Sequence, residues 1–104
     1  MINAIKNLLG LGSKVDFSEL IKNGAIILDV RSKGEYQGGH IKGSINISVD
    51  NLRNNLNKLK KDKPIITCCA SGMRSATAKS ILKSNGFTNV HNGGGWMSLQ
   101  NKIQ

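Results

Sequence analysis

The sequence predicts one α/β domain: an open, mostly parallel, twisted sheet with helices on both faces. Three observations carry that prediction. Ala25 to Val30 and Ile65 to Cys69 are short, largely apolar runs without the polar alternation of a half-solvated strand. Such runs mark strands buried on both sides, as in parallel sheets covered by helices. Helical patterns alternate with these runs along the chain, which is the order of parallel strands joined by crossovers. A length of 104 residues suffices for one core and is too short for two. Residues 15–104 are therefore read as the single domain, and residues 1–14 as a short amphipathic segment ahead of it.

In that first segment Ile2, Ile5, Leu8 and Leu9 share one side of a short helix that Gly10 and Gly12 end. It has neither the length of a membrane span nor the cleavage pattern of a secretory signal. Asp16 can cap the next helix, with Glu19 at its third position, Phe17, Leu20 and Ile21 inward and Gly24 as the stop. After the first buried strand, Ser32 and Glu35 have the spacing of a capping box. Ser44 to Ile47 reads as a short strand, and Leu52, Leu56 and Leu59 as the stripe of one helix. Pro64, the only proline, opens the second buried strand. A helix with Ala78, Ile81 and Leu82 on one face follows and ends at Asn85-Gly86. Phe87 to His91 reads as the last strand, followed by Gly93-Gly94-Gly95 and a short helix around Trp96 and Leu99.

The bulk numbers narrow the function classes. Fifteen Lys and Arg against six Asp and Glu give a formal charge of +9. That field suits anionic partners of any size. The lysines are spread along the chain, with one run at Lys58, Lys60, Lys61 and Lys63, and no aromatic residues are interleaved with them. The reading is a solvated surface with no nucleic-acid or membrane partner. The two cysteines, Cys68 and Cys69, are adjacent and cannot staple distant segments, which points to a reduced, cytoplasmic setting. No metal site and no cofactor is implied.

The chemistry concentrates at Cys69. It stands where a buried strand ends and a helix begins, so its sulfur would face free backbone amides and the positive end of the helix dipole. Both favour thiolate over thiol. Ser71 and Gly72 let the chain curl into a nest of inward amides, and Arg74 adds a fixed cation. Strand alternation points Cys68 the other way, as a core residue or as a resolving thiol under oxidation.

The run CCASGMRSATAKSILKSNGF resembles the active-site loop and following helix of rhodanese domains, and DVRSKGEYQGGHIKGSINI resembles their upstream signature. With VHNGGGW, these segments cover most of residues 25–97. The resemblance implies a rhodanese-like fold. It makes Cys69 the nucleophile that forms a persulfide, gives Ala70, Ser71, Gly72, Met73, Arg74 and Ser75 the cradle for the bound sulfur, and has Arg74 close the loop. Asp29, Arg31, Glu35 and His40 match the upstream signature, where such residues tie the sheet end to its loops; Arg31 and His40 are also candidates to line the approach to Cys69. Trp96 departs from the pattern by following the glycines directly.

Tyrosine phosphatases hold an anion with a similar loop but place five residues between Cys and Arg, where this chain has four. The tighter ring suits one terminal sulfur better than a tetrahedral phosphate. The expected activity is therefore a thiosulfate sulfurtransferase. It would move sulfane sulfur from a small anionic donor to a thiol or cyanide acceptor in two covalent steps. The alternatives are a persulfide carrier fed by a sulfur-relay protein and, behind it, a Cys-based phosphatase or arsenate reductase.

Overall fold

The structure is a computed structural model and describes residues 15–104. The amphipathic reading of residues 1–14 lies outside the described residues. The elements in chain order are α1 (Phe17–Lys22), β1 (Ile26–Asp29), α2 (Lys33–Gln37), β2 (Ile45–Asn46), two 3-10 turns (Val49–Asn54 and Leu56–Lys58), β3 (Ile65–Cys69), α3 (Met73–Ser84), β4 (Val90–Gly95) and α4 (Trp96–Ile103).

The four strands form one sheet in the order β2-β1-β3-β4, and every neighbouring pair is parallel. Alternation along β3 distributes its side chains to two cores. Ile65 and Cys69 join Leu28, Val30, Ile81, Leu82 and Phe87 under α3 and the 3-10 turns. Ile66 and Cys68 join Ile27, Ile41 and Leu99 under α1 and α4. Helices thus cover both faces, as the strand pattern requires. Among the described residues, no helix is long and apolar enough to cross a membrane.

The caps behave as their sequence spacing dictates. Asp16 accepts from the Glu19 amide, and Ser32 and Glu35 form the reciprocal capping box at the start of α2. Two expectations are corrected. The stripe Leu52, Leu56, Leu59 does not make one α-helix: the chain breaks at Asn55, whose φ of −130° is not helical and whose side chain bonds the Asn51 carbonyl. Five of the residues from 51 to 57 are asparagine or arginine, and the asparagines offer local bonds that compete with the helical ladder. The last strand is Val90–Gly95, not Phe87–His91, so the three glycines are strand and not linker.

That displacement has a packing cause. A Cβ on Gly93 would stand 2.8 Å from the Thr67 carbonyl oxygen and 2.9 Å from side-chain carbons of Ile66 and Leu99. Only glycine lets β4 lie this close to β3 under α4.

The connection from β1 runs to β2 on one side, while the connection from β3 runs to β4 on the other. The carboxyl ends of β1 and β3 therefore flank a topological switch point, where loops diverge and leave a place for chemistry.

Candidate active site

Two segments meet at the switch point. From β1 come Asp29, Arg31 and the start of α2. Asp29 is fully buried and holds the guanidinium of Arg31 through both carboxylate oxygens, at 2.7 to 3.1 Å. The same guanidinium donates to the carbonyls of Glu35 and Gly39 and lies 4.7 Å over the Trp96 ring. Asp29, Arg31 and Trp96 thus tie β1, α2 and α4 together, and four of the five N–H groups of Arg31 are taken up in these bonds. Trp96, which the sequence left without a role, is the lid on this buried ion pair. His40 stacks on Tyr36 at 3.7 Å and bonds the Tyr36 carbonyl through Nδ1, bracing its own loop.

From β3 comes the loop. Only Ala70, Ser71 and Gly72 separate the strand from α3, and Gly72 takes φ +107°, a left-handed conformation that makes the sharp turn into the helix. The turn brings two amides onto the Cys69 sulfur, Gly72 at 2.9 Å and Ser75 at 3.4 Å. The Ser75 hydroxyl stands 3.5 Å from the same sulfur. Below it, Thr67 Oγ1 donates to the Ser75 carbonyl at 2.9 Å and pins the first turn of α3 to the strand.

These contacts set the acidity of the two thiols apart. Burial pushes the Cys69 thiol up, but the Ser75 hydroxyl and the amides of Ser75, Gly72 and Ser71 more than offset it, and the thiol ends below its ordinary value. Cys68, fully buried on the other face, has no such donors. Burial, aided by the Asp29 charge, pushes it up to about 12. Of two adjacent cysteines, one is primed and one is silent.

Arg74 does not turn onto the sulfur. Its guanidinium forms a two-bond pair with Glu35, at 2.7 and 3.0 Å, so that it links the β3 loop to α2 across the switch point. Arg74, then the capping contacts of Ser32, hold the Glu35 carboxyl down to about 2. Glu35 was legible as a capping residue; its partnership with Arg74 was not. Ala70, Ser71 and Met73 are exposed around the loop, and Ser75 is buried within it.

One participant was missed altogether. Asn92, on β4, accepts from the Ser75 hydroxyl at 2.6 Å and from the Gly94 amide at 2.9 Å, and its Nδ2 faces the Gly72 carbonyl at 3.4 Å. Nothing in the sequence marks it except its place before the glycines.

Cys69 is fully covered, and the cavity of about 490 Å³ beside α2, lined by Lys33, Tyr36, Asn46 and Lys58 among others, includes no loop residue. The sulfur lies under a three-residue arch instead of in a cleft. Among the described residues, no group of three or more His, Cys, Asp or Glu is gathered to hold a metal.

A strand-loop-helix arch of inward amides over a cysteine is the observation that decides the relationship, and the comparisons agree with it. The model of the rhodanese-like domain matches residues 13–102. The chain belongs to the rhodanese-like domain family. Within this family it is 37% identical over 81 residues to the uncharacterized protein YqhL of Bacillus subtilis, covering 77% of this chain and 64% of that protein. It is 39% identical over 72 residues to the thiosulfate sulfurtransferase GlpE of Pseudoalteromonas translucida, covering 69% of each. Among solved structures, the human single-domain sulfurtransferase TSTD1 superposes with a TM-score of 0.73 at 27% identity, over 85% of this chain and 91% of that one. This rhodanese-like domain spans slightly less than two thirds of the Bacillus relative.

Proposed function

We propose that the chain is a sulfurtransferase that carries sulfane sulfur on Cys69, taking it from a small anion of the thiosulfate type. The observation that carries the proposal is the set of amides converging on the Cys69 sulfur with the thiol held below its ordinary range. The names of the Pseudoalteromonas and human relatives support the same reaction class.

The proposed exchange has two steps. The Cys69 thiolate attacks the outer sulfur of thiosulfate; the donor's S–S bond breaks, and sulfite leaves with the bonding pair. The new terminal sulfur is an anion under the arch, where the helix dipole and the loop amides stabilise it. An acceptor thiolate or cyanide then attacks that sulfur and returns Cys69 as thiolate. The loop amides stabilise the thiolate over the thiol, so the exchange is written without a general base. The chain's +9 charge draws anionic donors to the surface. Ala70 and Ser71, both exposed, form the cover that a donor has to displace to reach the sulfur.

A second reading is a persulfide carrier loaded by another protein. The covered sulfur favours it, as does Met73, 79% exposed at the rim of the loop, an apolar contact suited to a protein surface. Incubation with thiosulfate and intact-mass measurement tests the proposal. Addition of one sulfur to Cys69, retained by Cys68→Ser and lost in Cys69→Ser, is expected, with turnover when cyanide is supplied. Loading that survives Cys69→Ser overturns the assignment. Loading by a protein persulfide but not by thiosulfate selects the carrier.

A further inference from the structure

The hydroxyl of Ser75 has one proton and three acceptors within reach. These are Asn92 Oδ1 at 2.6 Å, the Gly72 carbonyl at 3.0 Å and the Cys69 sulfur at 3.5 Å. Which of them receives the proton depends on Asn92, and the orientation of its side-chain amide is fixed independently. The Gly94 backbone N–H can only donate, and it points at Oδ1 from 2.9 Å. The flipped alternative would set two donors against each other. Oδ1 is therefore an acceptor, and at 2.6 Å from Ser75 Oγ it takes the hydroxyl proton.

With its proton committed to Asn92, Ser75 shows Cys69 a lone pair. That suits the thiol, whose S–H can donate to Ser75 Oγ. It does not suit the thiolate, for which the hydroxyl must rotate and give up the shortest bond in the network. We infer that Asn92 is a positioning residue that restrains ionisation of Cys69 by holding the Ser75 proton away from the sulfur. When Cys69 ionises, its own proton goes to solvent and the Ser75 proton only reorients. The inference rests on Cys69 being the reacting thiol, and it concerns the poise of that thiol, not the identity of the sulfur donor.

The other charged and titratable neighbours do not substitute for this pair. Arg74 adds a distant positive charge that Glu35 neutralises, and Cys68, on the opposite face of β3, stays protonated. Asn92 is itself exposed, so water can serve the Gly94 amide when the side chain is cut back.

The test is the pH dependence of Cys69 alkylation in a Cys68→Ser background. Asn92→Ala removes the nearest acceptor, leaves the hydroxyl proton to be shared between the Gly72 carbonyl and the sulfur, and lowers the alkylation midpoint by up to roughly one pH unit, the equivalent of one hydrogen bond. Asn92→Asp keeps both acceptor roles, adds a negative charge and raises the midpoint. In a Ser75→Ala background, Asn92→Ala has no further effect, since the two act through one proton. A midpoint unchanged or raised by Asn92→Ala overturns the inference, as does an equal shift with and without Ser75. Alkylation needs no sulfur donor, so a midpoint that shifts as expected in a protein that does not load sulfur refutes the sulfurtransferase reading and leaves this one standing.

Discussion

Cys68 is the group whose titration reports most directly on the packing of β3. Buried against Ile27, Ile41, Ile66 and Leu99, its thiol is held up at about 12, whereas an ordinary thiol ionises at 9.0. Below pH 9 the residue is neutral in both folded and unfolded chains and contributes no pH dependence. Above 9 the unfolded chain loses this proton while the folded one keeps it, so stability falls as pH rises, by about 1.4 kcal/mol per pH unit until the folded thiol also ionises. By pH 11 the accumulated loss from this one residue is about 2.7 kcal/mol, a large part of a small domain's stability. Cys69 has the opposite sign: its lowered value adds stability as pH rises toward 9 and nothing beyond. Urea unfolding under reducing conditions at pH 8, 9, 10 and 11, on the native chain and on Cys68→Ala, isolates the effect. All other side chains are common to the two chains, and the methyl-sized cavity in the variant is a constant offset. The native chain is expected to lose about 2.7 kcal/mol more than the variant between pH 8 and pH 11. Parallel stability curves would refute the claim that this thiol is sealed in the core.

Further expectations follow from other contacts. Arg31→Met strands the Asp29 carboxyl in the core without its counter-ion and should cost about 3–5 kcal/mol in urea unfolding; a loss below about 1 kcal/mol would mean the pair is more solvated than its burial indicates. Gly93→Ala forces a methyl group against the Thr67 carbonyl and should cost about 1–3 kcal/mol, lowering Tm on the order of 10 °C; an unchanged Tm would show that β4 yields freely. Glu35→Gln leaves the Arg74 charge uncompensated beside the loop. KM for thiosulfate should fall about two- to threefold at low salt, an advantage lost at high salt; equal KM values at both salts refute it. Because the Glu35 carboxyl is held near 2, the native pair should not titrate anywhere in an ordinary assay range.

What could be read from the sequence was local. Ile65–Cys69 emerges as a strand with the boundaries its apolar run suggests, because burial on both faces leaves an unbroken signature. The Ser32–Glu35 cap and the left-handed Gly72 before α3 are equally short-range. The elements that were misplaced depend on distant partners. Gly93 to Gly95 look like a linker by propensity, and only the approach of β3 and the Ala70 carbonyl explains why a strand is built from them. Asn92 and the Arg74–Glu35 pair join residues 17 and 39 positions apart from their partners, and no spacing rule connects them. The motif pointed to Cys69; the fold supplied the groups that set its acidity.

The opposite orientation of the adjacent cysteines governs the fate of any sulfur that Cys69 holds. For Cys68 to displace it as sulfide and close a disulfide, the two side chains would have to meet on one side of a strand that is bonded to β1 and β4. The sheet stands between them as a partition, and the silent thiol behind it is not available as an internal exit. Under the proposed sulfur transfer, an atom loaded on this arch departs toward the outside, to the acceptor that reaches the loop, and not by a rearrangement within the chain.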